Sequence, residues 1–221
     1  MRRVLTMALA SVAIGLATPA AAAVTVTTTN GTPLQAAIHA STTDNTNDAL
    51  EVFGSITQGG QSANVKFDGN TDLHITDGGG FASITDSSAD GALNLTSLII
   101  NPDADFTAIK FSIQLAGDGD ISIFYLLSGL ADLPANYVLA GGTPFSQKDN
   151  QNNNYILTGG TFNAIKIVTT SHLFEVKQNS INLAAAFVPE PGTWGLMLLG
   201  FGGIGLALRR RRRTATLMQL A

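Results

Sequence analysis

Apolar and polar residues alternate through the middle of the chain. Ile109, Phe111, Ile113 and Leu115 are separated by Lys110, Ser112 and Gln114, the period-two pattern of a strand with one face in a core. Gly117-Asp118-Gly119-Asp120 follows, and Ile121, Ile123 and Tyr125 resume the alternation. The two segments read as a β-hairpin, with Gly and Asp supplying the positive φ of its turn. Leu93 and Leu95 alternate with Asn94 and Thr96 before an apolar run at 98–100. Further strands are predicted at 50–57, 63–67, 73–76, 81–85, 155–157, 164–170, 173–178 and 181–187. Turn clusters separate them at 77–80, 86–91, 141–142 and 159–160.

Short strands at this spacing predict an all-β fold, a single β-sandwich domain, jelly-roll-like or Ig-like, over residues 24–188. Its roughly 165 residues can bury one sizeable core without disulfides. Helical periodicity is nearly absent there, and residues 33–40 are expected to form a short helix at most. The polar stretches 25–32, 41–48 and 146–154 read as loops or linker.

Charge separates this middle from the two ends. Residues 24–188 contain no arginine and five lysines against fifteen carboxylates, a net charge of −10. Such a body is unsuited to nucleic acid, where neutralisation of phosphates dominates affinity. The absence of cysteine excludes a disulfide scaffold, a cysteine zinc site, an iron–sulfur centre and a cysteine nucleophile.

The first 23 residues have the three parts of a secretory signal peptide. Arg2 and Arg3 are the positive start, residues 4–17 the apolar stretch, and Ala21-Ala22-Ala23 the small-residue site before Val24. The apolar stretch is shorter than the ~20 residues a membrane span needs, so cleavage between Ala23 and Val24 is expected. At the other end, Pro189-Glu190-Pro191 makes a stiff, extended break. Residues 194–208 then carry no charge, from Trp194 up to the cluster Arg209, Arg210, Arg211, Arg212 and Arg213. As a helix this stretch is about 22 Å long, a short transmembrane helix that borrows length from its snorkelling arginines. The arginines place its C-terminal side, and the tail 214–221, in the cytoplasm.

The order of Pro189-Glu190-Pro191, Trp194, a Leu-Met-Leu-Leu-Gly run and an arginine cluster resembles the PEP-CTERM sorting signal. That resemblance implies an exported protein of a Gram-negative bacterium, often one that makes exopolysaccharide. Its precursor is held transiently in the inner membrane, and the peptidase exosortase processes the signal over residues 189–213. Eight residues follow the arginines, where such chains usually stop. The spacing Gly200-x-Gly202-x-x-Gly205 formally matches a dinucleotide-binding fingerprint. It lies inside the apolar span, without the flanking strand and ribose-binding acid that the fingerprint requires.

The middle offers little recognisable chemistry. His39, His74 and His172 have no partner at metal-ligand spacing, and no Gly-x-Ser-x-Gly elbow is present. Catalytic residues are therefore expected to be absent. The paired carboxylates Asp103 and Asp105, and Asp118 and Asp120, lie in Gly-rich or polar turns and are weak candidates for Ca²⁺, which takes six to eight oxygens. The competing expectation is ordinary turn chemistry, with Asp capping nearby N–H groups. Glu51 and Glu175 are the only glutamates of the body, outside any glycosidase motif. Tyr125, Tyr137 and Tyr155 could stack on sugar rings or serve as ordinary strand residues.

The expected function is a non-catalytic surface or extracellular-matrix protein, associated with exopolysaccharide or biofilm and needing no cofactor. A polysaccharide-acting extracellular hydrolase and a calcium-stabilised adhesin are the alternatives. The expected partners are exosortase, the inner membrane and extracellular polysaccharide, with no nucleic acid.

Overall fold

A computed structural model describes residues 23–28, 33–41, 49–78, 80–87, 93–184 and 198–202. Pro189, Glu190, Pro191, Trp194, Arg209 to Arg213, the tail 214–221, most of the signal segment and all but the first residue of the predicted loop 41–48 lie outside the described residues. The chain divides into two compact units, residues 1–184 and 185–221.

The first unit is all-β. In order its strands are β1 (Thr25–Thr28), β2 (Ala36–Ala37), β3 (His39–Ala40), β4 (Ala49–Gln58), β5 (Gln61–Gly78), β6 (Phe81–Asp86) and β7 (Ser97–Pro102). They continue as β8 (Phe106–Leu115), β9 (Gly119–Leu127), β10 (Val138–Leu139), β11 (Phe145–Gln147), β12 (Asn152–Thr158), β13 (Phe162–Thr169) and β14 (Leu173–Leu183). A single 3-10 turn, Pro134–Asn136, stands between β9 and β10 among the described residues.

The two separate sheets of a sandwich are replaced by one continuous sheet that closes on itself. Strands β8, β14, β6, β5, β7 and β13 form a ring, and the pairing of Phe162 on β13 with Phe106 on β8 completes it. The remaining strands extend this barrel: β12 and β1 beyond β8, β9, β10 and β11 beyond β13, β4 and then β3 beside β5, and β2 beside β14. Strand β5 makes closure possible. Predicted as two strands, it is one long strand that pairs with β4 and β7 along its first part and with β6 from Leu73 onward. The bend falls at Gly69, where a Cβ would lie 2.7 Å from Leu73 Cδ2 and 2.9 Å from the Thr71 carbonyl. Beside it the Asn70 carboxamide accepts the N–H groups of Thr96 (2.9 Å) and Ser97 (2.8 Å), tying the bend to the start of β7.

Two local expectations need correction. Strands β8 and β9 are not a hairpin: β8 pairs with β12 and β14, and β9 with β13, β10 and β11. Gly117 and Gly119 do not take positive φ. They are small because Ser171 packs over them, its Cβ only 2.7 Å from where a Cβ of Gly119 would be. Residues 33–40 do not form a helix either. They carry β2, paired with β14, and β3, paired with β4, while Ile38 between them is fully buried. The polar stretch 25–28 is likewise a strand, antiparallel to β12 from Thr25 opposite Thr158 to Thr28 opposite Tyr155.

The core follows the alternation. Ile109, Phe111, Ile113 and Leu115 point inward from β8, and Ile121 and Ile123 from β9. Phe106 and Phe162 meet at the seam with ring centroids 5.6 Å apart. Tyr155 is buried between Phe111 and Phe145, and its hydroxyl donates to Gln147 Oε1 at 3.1 Å. It is a core residue, closed to any sugar.

Candidate functional site

Outward-facing residues of the barrel are brought into line by register. Asp68 on β5 lies opposite Ile99 on β7, Ile99 opposite Lys166 on β13, Lys166 opposite Phe124 on β9, and Phe124 opposite Leu139 on β10. Each neighbours fully buried residues along its own strand: Phe67, Ile100, Ile165, Ile167 and Ile123 point into the core. One step along, Val168 lies opposite Ser122. The chain between β9 and β10 folds back over this row. It is braced by Leu133 N–H to the Ala131 carbonyl (2.8 Å) and by the Asn136 side chain to the same carbonyl (2.8 Å). Asp132, Pro134 and Tyr137 thus form the roof of a cavity of about 250 Å³ over Ile99, Ser122, Phe124, Lys166 and Val168.

The polar groups of this cavity are ordered. The Tyr137 hydroxyl donates to Asp132 Oδ1 at 3.0 Å. Burial, then the hydrogen bond and charge of Asp132, then the charge of Asp68, push the Tyr137 phenol well above its ordinary value, so it remains a protonated donor. On the neighbouring strands Lys66 bonds Glu51 (3.0 Å) and lies 3.7 Å from Asp68. The Glu51 hydrogen bond is the largest influence on Lys66 and raises it against the effect of burial.

A second cavity, about 650 Å³, lies where the predicted cleavage junction meets the barrel. Ala23 is exposed and Val24 half-buried against the core. Both sit beside Gly159 and Gly160, with Tyr125 across the cavity. Tyr125 packs edge-on to Phe162, at 5.6 Å and 70°.

The other residues singled out by sequence are dispersed. Asp103 accepts the N–H (2.9 Å) and the side-chain amide (3.3 Å) of Asn64. Asp105 accepts the Ser128 hydroxyl. Asp118 binds Lys148 at 2.8 Å and the Asp149 N–H at 2.8 Å, and the Lys148 bond, then that N–H, hold its carboxyl below the usual range. Asp120 is held through its backbone, its N–H donating to Thr170 Oγ1 at 2.8 Å. Among the described residues no three His, Asp or Glu side chains are placed to hold one metal ion.

Glu51 and Glu175 are not brought together as a catalytic pair. Glu51 bonds Lys66, whereas Glu175 on β14 accepts Ser83 and Lys177. Burial alone would raise the Glu175 carboxyl, but Lys177 and Ser83 outweigh it and hold it below its ordinary value. His39 lies 3.3 Å from Asp77, His74 is half-buried on β5 and His172 is exposed before β14. Of the three tyrosines considered for sugar contact, Tyr137 lines the first cavity and Tyr125 the second. Sequence reasoning missed Phe124 and Lys166, which meet through strand register, and Asp132, which the chain between β9 and β10 folds over them.

In the second unit residues 198–202 are helical, with Leu198, Leu199 and Phe201 exposed. Among the described residues no helix is long and apolar enough to cross a membrane. The model of the PEP-CTERM protein-sorting motif matches residues 187–212, so the chain carries that sorting motif. The motif marks an exported protein processed by exosortase from a membrane-anchored precursor. No curated protein matches the chain.

Proposed function

We propose that the chain is a non-catalytic protein of the cell surface or extracellular matrix, associated with exopolysaccharide, whose barrel is the delivered product and whose tail is the address. The observation that carries this reading is the sorting motif at 187–212 directly after the last barrel strand, which ends at Leu183. Residues 1–23 act as the signal peptide. Strand β1 starts at Thr25, so cleavage between Ala23 and Val24 leaves it whole. Residues 194–208 hold the precursor in the inner membrane of a Gram-negative cell, with the arginines on the cytoplasmic side. The scattered placement of Glu51, Glu175 and the three histidines supports a body without catalysis.

Replacing Pro189, Glu190 and Pro191 together by alanine tests the route. The expected result is accumulation of the precursor in the inner-membrane fraction and loss of the surface form. Unchanged delivery would overturn the sorting account. A zymogram on the cell's own polysaccharide tests the absence of catalysis: hydrolysis that disappears in Glu51→Gln or Glu175→Gln would establish a hydrolase instead.

A further inference from the structure

The cavity roofed by Asp132, Pro134 and Tyr137 contains a lysine that forms no ion pair among the described residues. Lys66, Lys148 and Lys177 are ion-paired, with Glu51, Asp118 and Glu175 respectively, and Lys110 is buried within the barrel wall. Lys166 has no carboxylate within 4.0 Å among the described residues, although carboxylates outnumber lysines three to one in this body. Register explains this isolation: its two cross-strand neighbours are Ile99 and Phe124, which offer it no charge. A half-buried lysine with two apolar cross-strand neighbours, lining a cavity, is available to a ligand's negative group.

The rest of the cavity narrows the ligand. Phe124 and Tyr137 present aromatic surface, which suits the C–H face of a sugar ring. Asp132 takes one hydrogen bond from Tyr137 and has further acceptor capacity for ligand hydroxyls, and Ser122 adds a hydroxyl that can donate or accept. One lysine, in a cavity also lined by the Asp132 carboxylate and within a strongly acidic body, matches a single negative charge better than a phosphate dianion. A cavity of about 250 Å³ is below the usual size for a drug-sized ligand and suits a single ring.

We propose that this cavity binds a sugar acid, one pyranose ring bearing a carboxylate, with the ring against Phe124 and Tyr137, its hydroxyls on Asp132 and its carboxylate on Lys166. The ring could come from an acidic polysaccharide chain or from a free uronic acid. The proposal rests on the matrix-protein reading only for where the protein meets its ligand. Its test uses purified protein, so a failure here leaves the sorting account standing.

The test is calorimetric titration of the full chain in mild detergent. The probes are a glucuronic acid oligosaccharide, the same oligosaccharide with its carboxyl groups reduced to alcohols, and free glucuronate. Saturable binding of the acidic oligosaccharide is expected, with the reduced form at least about tenfold weaker. Lys166→Met should abolish that preference, with Lys166→Gln as a second variant should the first not fold. Lys148→Met, which removes an exposed lysine paired with Asp118, should leave it unchanged. Free glucuronate binding as tightly as the oligosaccharide supports a free sugar acid as the source, and tighter binding of the oligosaccharide supports a chain. No saturable binding of any probe, equal binding of the reduced form, or equal loss in the Lys148 and Lys166 variants would overturn the proposal.

Discussion

Gly159 decides whether the first strand can dock. Its φ is +95°; a Cβ there would lie 2.2 Å from the Ala23 carbonyl oxygen in the precursor, and 3.1 Å from the Val24 Cα, a contact that cleavage after Ala23 leaves in place. Backbone strain and backbone collision therefore act at the same position. Gly159→Ala is expected to lower stability by about 1–3 kcal/mol in urea unfolding. It should also expose the start of β1 to an aminopeptidase. Unchanged stability and resistance in the chain that begins at Val24 would show that Val24 does not sit on this turn. At Glu175 the sign of the pH effect follows from its depressed native pKa. The stabilisation is present above the unfolded value of 4.5 and is lost as pH falls through the lower native value. Glu175→Gln should therefore flatten the fall of Tm with acidification in that range, and an unchanged slope would remove Glu175 from the acid response.

At the scale of elements, the seam of the barrel depends on two aromatic rings. Phe162 touches Phe106 across the closing pair and Tyr125 from β9, and it is fully buried. Phe162→Ala is expected to cost about 3–5 kcal/mol. Phe174→Ala, on a side chain that is 45% exposed, should change stability by less than about 0.5 kcal/mol. Similar losses in both variants, measured by denaturant unfolding, would contradict the placement of the seam. Alternation made the inward face of β8 legible in advance, but it also implied a solvent-facing Lys110 and Ser112. Both are buried, because periodicity identifies one face and carries no information about what covers the other. Strand β5 was read as two because its apolar pattern lapses at Gly69-Asn70-Thr71-Asp72, where the strand changes partners and Asn70 turns to serve β7. β1 and β2 were missed because Thr- and Ala-rich segments have little hydrophobic contrast. Their strand character comes from the edges of β12 and β14.

For the molecule as a whole, the address was easier to read than the cargo. Pro189-Glu190-Pro191, Trp194 and the arginines are contiguous in sequence, so their order alone carried the resemblance that the motif at 187–212 bears out. The cavity draws on Ile99, Phe124, Asp132, Tyr137 and Lys166 across four separate segments, and no local pattern announces such a site. Closure into one sheet was equally hidden, because the ring is completed by the Phe106–Phe162 pairing between distant segments. The division of the chain at Ala184 fits a body that keeps its core when the tail is removed: the hydrophobic cluster described runs from Ala36 to Leu183. The most direct test of the account is the intact mass of the protein recovered from the cell surface. The account predicts a chain that begins at Val24 and ends near residues 189–191. A surface form that keeps residues 194–213 would contradict it, leaving a tail-anchored membrane protein whose sorting motif is not processed.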